Sequence, residues 1–238
     1  MIKNIKLNIK DFFCSFKAEK TADNKLPKYL ELKFTLLPIV LIIICAYFFL
    51  DTRVENEVIN MSPDVKHFFS KITDFGKADW MIRLAAIFLV IRLFIDPSVF
   101  KKATQTIINT MTRSVCFILS TIVIGGILGQ FLKGFIGRAR PKFFLEYGST
   151  YFEHFQHFFG YNFASMPSGH SITLGSLFTC FIILFPKMKY LWVLLAVLFA
   201  ASRVFVGSHY PSDVIFGLCF GSYVSLFIYY WMKNRNLI

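Results

Sequence analysis

Long uncharged runs alternate with charged stretches along this chain. Apolar runs cover about 34–50, 80–95, 115–132, 171–185, 190–206 and 214–232, each close to the roughly 20 residues a helix needs to cross a bilayer. They predict an all-α fold: a six-span transmembrane helix bundle with short interfacial helices. The second run carries Arg83 and Arg92 near its ends, where a long side chain reaches the interface from inside the membrane. Gly125 with Gly129, and Gly217 with Gly221, form two GxxxG pairs that predict close helix packing. Between the runs, 51–79 is a polar excursion expected to hold a short helix, Pro97, Lys101 and Lys102 mark a short loop, and 133–167 is a long loop.

Composition sharpens this picture. Hydrophobic residues make up 55% of 238 residues and charged ones 17%, too apolar for a soluble domain of this length. A net charge of +12 then reports membrane orientation and anionic lipid contact, and not nucleic acid. The chain divides into a basic N-terminal segment, 1–33, and a six-span domain, 34–238. In the former, Ile2, Ile5, Ile9, Phe12, Phe13 and Phe16 recur at helical spacing among lysines. That pattern predicts an amphipathic helix on an anionic leaflet, and its charged stretch is too long for a cleaved signal peptide. The five cysteines show no paired spacing, so neither a disulfide framework nor a zinc site is expected.

With six spans both termini share one face. The N-terminus, Lys101 and Lys102, Lys187 and Lys189, and the tail all fall on it, which the positive-inside rule makes cytoplasmic. The loops 51–79, 133–167 and 207–212 then face outward. Three charged clusters lie in or beside those loops. Lys133, Arg138, Arg140 and Lys142 crowd the end of the third span, against the charge bias of translocated loops, and suit phosphate oxygens. Pro167-Ser168-Gly169-His170 opens the fourth span; a helix start points free N–H groups at an anion, and Gly169 admits it closely. Ser202-Arg203 and His209-Tyr-Pro-Ser-Asp213 end the fifth span and open the sixth. His209 and Asp213, four apart, share one helical face, so the carboxylate can orient the ring. Each cluster has a bland alternative: snorkelling cations, a structural histidine, an Arg203–Asp213 ion pair. Together the three point to a phosphate site.

Lys133-x6-Arg140-Pro141, Pro167-Ser-Gly-His170 and Ser202-Arg203-x5-His209-x3-Asp213 resemble the three-part signature of the type 2 phosphatidic acid phosphatase superfamily, over about 130–213. The resemblance implies a membrane lipid phosphatase without cofactor or metal. In it His209 attacks phosphorus, Asp213 orients His209, and His170 protonates the leaving oxygen and later activates water. Lys133, Arg140 and Arg203, with backbone N–H groups at Ser168 and Gly169, bind the phosphoryl oxygens. The implied substrate is a phosphorylated membrane lipid, with lipid A favoured over undecaprenyl diphosphate or phosphatidylglycerophosphate. A lipid phosphotransferase shares the early steps, and a six-span lipid-binding or transport protein is the non-enzyme alternative. No obligate protein partner is evident. Glu153-His154-Phe-Gln-His157 has zinc-like spacing but no third ligand; its aromatic surroundings read better as an interfacial helix flanking a lipid entrance.

Overall fold

The computed structural model describes residues 31–155 and 162–238. The expected N-terminal amphipathic helix therefore lies outside the described residues almost entirely, as do His157 and much of the aromatic stretch beside it. Among the described residues every regular element is helical, with one isolated bridge between Arg138 and Phe152. In chain order these are α1 (Leu32–Phe49), α2 (Asp51–Ile59), α3 (Pro63–Thr73), α4 (Ala78–Phe94), α5 (Lys102–Ile136), the single turn α6 (Phe144–Tyr147), α7 (Gly169–Leu184), α8 (Lys189–Phe205) and α9 (Pro211–Lys233).

By length and composition, α5, α8 with the 3-10 turn before it, and α9 are able to cross a membrane. The bent pair α1–α2, with a 48° angle at its break, makes a fourth if taken as one span. The helix α7 is apolar but only 16 residues long. The helix α4 occupies the second apolar run, with acid and arginine at its ends. Its two arginines behave differently. Arg83 is exposed and pairs with Asp79 at 2.7 Å. Arg92 instead turns inward, 4% exposed, donating to the Ile95 carbonyl at 2.9 Å.

The bundle is built around α7. Every residue from Ser171 to Cys180 is buried, and α5, α8 and α9 all pack on this helix. Outer helices turn large apolar side chains outward instead: Leu37 and Phe48 on α1, Leu84 and Phe94 on α4, and Tyr190 and Leu194 on α8 are each more than half exposed. A polar centre with an apolar outside is the pattern lipid solvent selects. Both GxxxG pairs seat against α7. A Cβ on Gly221 would sit 2.1 Å from the Ile172 carbonyl oxygen, and one on Gly129 would sit 2.4 Å from Ile172 Cδ1. The closeness of α7 and α9 also lets Ser225 Oγ donate to the Ser176 carbonyl at 3.2 Å.

Two boundaries differ from expectation. The helix α5 starts at Lys102 and runs 35 residues, because the polar positions before 115 interrupt hydropathy without containing a helix breaker. The excursion over 51–79 is folded onto the bundle: α2 buries Asp51 and Glu55, and Phe69 of α3 stacks on Phe205 at 4.5 Å.

Candidate active site

The site forms where α5 ends and where α7 and α9 begin. Gly137 terminates α5 in the left-handed region, φ 62°, with its N–H on the Lys133 carbonyl at 2.9 Å. A Cβ there would meet the Glu153 carbonyl oxygen at 1.9 Å, so only glycine allows the turn. The chain then runs extended through Arg138 to Arg140, zipped by Ala139 N–H to Tyr151 carbonyl (3.1 Å) and Ser165 N–H to Arg138 carbonyl (3.0 Å). Ser168 caps α7, its Oγ accepting from Ser171 N–H at 3.4 Å. Pro211 occupies the first position of α9, where a missing N–H costs nothing. Asp213 Oδ2 caps the same turn, accepting from Tyr210 N–H at 3.0 Å.

A cavity of about 340 Å³ opens at this junction. Lys133, Gly169, His170, Arg203 and His209 all line it. Lys133 is 5% exposed, and a Cβ on Gly169 would lie 3.6 Å from its Nζ. Glycine therefore keeps the approach between cation and helix start open. Arg140 and Asp213 stand behind the wall: the Arg140 charge acts on Lys133 and His209, and Asp213 reaches the cavity through His209. Arg203 donates to Thr73 Oγ1 at 3.2 Å, which ties the end of α8 to α3. Lys133 and Arg203 converge on one cavity at the start of α7, with the Arg140 charge close behind. Such a place favours a multiply charged anion.

His209 is 2% exposed. Its Nδ1 stands 3.8 Å from Asp213 Oδ2, beyond hydrogen-bond reach, so the carboxylate acts on the ring as a nearby charge. Burial above all, with the charges of Lys133 and Arg140, pushes the His209 pKa down to about 3, against the opposing pull of Asp213. The ring is consequently neutral at physiological pH, as a nucleophile must be.

One expected role is corrected. Ser168 was expected to offer its backbone N–H to phosphate, but that N–H donates to the Asp213 carbonyl at 3.0 Å. The bond ties the α7 start to the α9 start, and Ser168 serves as cap and clamp. Gly169 and His170 follow it in the first turn, where a helix has no internal acceptors for its N–H groups.

Other functional residues escaped sequence reasoning. Arg138 is fully buried and bridges two carboxylates, Nη1 to Asp213 Oδ1 and Nη2 to Asp51 Oδ2, both at 2.7 Å. Although burial opposes its charge, Asp213 and Asp51 push its pKa above the ordinary range. Ser165 Oγ donates to Asp213 Oδ2 at 2.5 Å. The available signal for Arg138 was its place in a basic cluster, and for Asp51 an acid directly after an apolar run. His154, from the zinc-like pair, engages the Phe135 carbonyl through Nδ1 at 2.8 Å; its expected partner His157 lies outside the described residues.

Two histidines and two cations line one cavity among helices able to cross a membrane. Residues 114–237 match the model of the PAP2 superfamily, and the chain belongs to that family. It is 38% identical over 168 residues to the lipid A 1-phosphatase of Rhizobium johnstonii, covering 68% of this chain and 66% of that one. To the lipid A 1-phosphatase of Rhizobium etli it is 36% identical over 167 residues, covering 68% and 69%. The chain thus spans about two thirds of the length of these curated relatives. The crystal structure of the transmembrane PAP2-type phosphatidylglycerolphosphate phosphatase from Bacillus subtilis shares the fold, with a TM-score of 0.56 at 18% identity, over 84% of this chain and 96% of that one.

Proposed function

We propose that this chain is a membrane lipid phosphatase that removes the 1-phosphate of lipid A through a phosphohistidine intermediate. The observation that carries the chemistry is the single cavity shared by His170, His209, Lys133 and Arg203. The likeness to two lipid A 1-phosphatases supports the substrate. The phosphate enters with its oxygens on Lys133, Arg203 and the Gly169 N–H, and Arg140 adds charge from behind. His209 Nε2 attacks phosphorus while the bond to the sugar oxygen breaks, and His170 gives that oxygen its proton. His170 then takes a proton from water, whose oxygen attacks the phosphohistidine and releases inorganic phosphate with His209 restored. The cations hold charge that spreads over the phosphoryl oxygens in both transition states. Asp213 offsets the positive charge that builds on the His209 ring.

The same reading places six spans, α1, α4, α5, α7, α8 and α9, in a bacterial inner membrane. Both termini are then cytoplasmic, and the cavity faces the periplasm. Purified protein in detergent, given lipid A, tests it: mass spectrometry should find the product lighter by one phosphate, and His209→Ala should abolish the change. Turnover of undecaprenyl diphosphate with lipid A untouched would reassign the substrate. Release from neither lipid would favour a binding or transport protein.

A further inference from the structure

Asp51 lies outside the segment matched by the family model, yet every contact recorded for its carboxylate is to the catalytic site. It is 0% exposed. Oδ1 accepts from the Ser212 N–H at 2.9 Å, and Oδ2 from Ser212 Oγ at 2.6 Å and Arg138 Nη2 at 2.7 Å. Ser212 directly precedes Asp213 in the first turn of α9. A buried carboxylate is retained only where such partners compensate it.

The geometry of Arg138 gives the arrangement its meaning. A guanidinium facing one carboxylate usually grips both oxygens with two parallel bonds. Here the fork is split, one terminal nitrogen to Asp51 and the other to Asp213. Ser149 carbonyl takes Nε and Nη2 at 3.2 and 2.6 Å, and the Tyr210 ring lies 4.2 Å from the guanidinium carbon. Two carboxylates thus share one guanidinium beside His209. Without Asp51, only the Ser149 carbonyl would hold that half of the fork back from Asp213.

We infer that Asp51 is a positioning residue of this site: it holds half of the Arg138 fork away from Asp213, so that Asp213 retains the field that stabilises the phosphorylated His209 ring. The inference rests on the phosphohistidine reading above. It also explains why the first helical pair is bent just after Phe49: the break brings Asp51 under α9, where Ser212 and Arg138 meet it.

The test compares Asp51→Asn, which keeps shape and loses charge, with Asp51→Glu, which keeps charge. Active sites are counted by stoichiometric vanadate binding, and turnover of a short-chain phospholipid monophosphate is expressed per site. In Asp51→Asn, kcat per site should fall about 10- to 100-fold, the worth of one charge-assisted hydrogen bond. KM should change little, because the phosphate contacts are elsewhere. Asp51→Glu should recover most of the loss. Ser212→Ala, which leaves all charges in place and removes one arm of the network, should show a smaller fall in the same parameter. Unchanged turnover per site in Asp51→Asn would overturn the inference, as would a loss confined to the number of vanadate-binding sites, which marks a merely structural role. If Asp51→Asn yields no binding sites, the outcome rests on Ser212→Ala, where unchanged turnover per site overturns the inference. His209→Ala serves as the separate control: activity surviving there would refute the phosphohistidine mechanism, whatever the Asp51 variants do.

Discussion

Replacing Gly221 by alanine tests the central packing of the bundle and its link to catalysis. The added Cβ would fall 2.1 Å from the Ile172 carbonyl oxygen, 2.9 Å from Ser176 N and 3.0 Å from the Ile172 carbonyl carbon. All three are backbone atoms, so no side chain can swing aside. An ordinary carbon–oxygen contact needs a little over 3 Å, so α9 and α7 must separate locally by roughly 1 Å. In lipid no hydrophobic force between helices offsets the lost contacts. Overpacking costs typically 1–3 kcal/mol, and a backbone obstacle places this case at the upper end. About 3 kcal/mol corresponds to a Tm lowered by roughly 6–12 °C in a chain of this size. The separation also reaches the site, because α7 carries His170 and α9 carries Asp213, and the Ser168–Asp213 backbone bond closes the gap between them. Gly126→Ala is the matched control, with nothing within 4 Å of the new Cβ. Both variants would be melted in the same detergent and assayed for phosphate release. Equal Tm and equal turnover in the two would refute the packing argument.

Activity should survive excess EDTA and be inhibited by vanadate, which mimics the trigonal bipyramidal phosphoryl group. Loss with EDTA that a divalent ion restores would count against the all-protein site of cations and histidines. The His209 pKa, lowered in the folded protein to about 3 against roughly 6.5 when unfolded, sets a pH trend. The unfolded chain binds the proton first, so the stability associated with a neutral ring is present above about pH 6.5 and is lost as pH falls from there toward 3. Between pH 6.5 and 5 the loss should approach about 2 kcal/mol, visible as a Tm decline that is shallower in His209→Asn; parallel declines in the two proteins would refute it.

The clusters were readable from sequence because each sits at a helix end with local grammar. Ser168 caps its own turn, Pro211 suits a first helical position, and Asp213 caps the Tyr210 N–H three residues back. The apolar runs located α1, α4, α7, α8 and α9 to within a few residues. What was hidden depends on pairs remote in sequence. Arg138 meets Asp51 across 87 positions and Asp213 across 75, and nothing local distinguishes it from the other arginine two residues on. The Ser168 N–H is withdrawn from the anion site by a carbonyl 45 residues away, which no reading of a helix start anticipates. Glu55 and Asp51 look like polar loop residues until α2 folds beneath α9.

The shortness of α7 has a consequence for how a lipid is served. Sixteen residues rise only about 24 Å, less than the roughly 30 Å of hydrocarbon in a bilayer. In the proposed orientation, with the far end of α7 at the cytoplasmic interface, its start beside the cavity would lie below the outer edge of the hydrocarbon by roughly 6 Å. Under that proposal a headgroup would reach the cavity with its tails still in the leaflet, without the lipid being lifted out of the membrane.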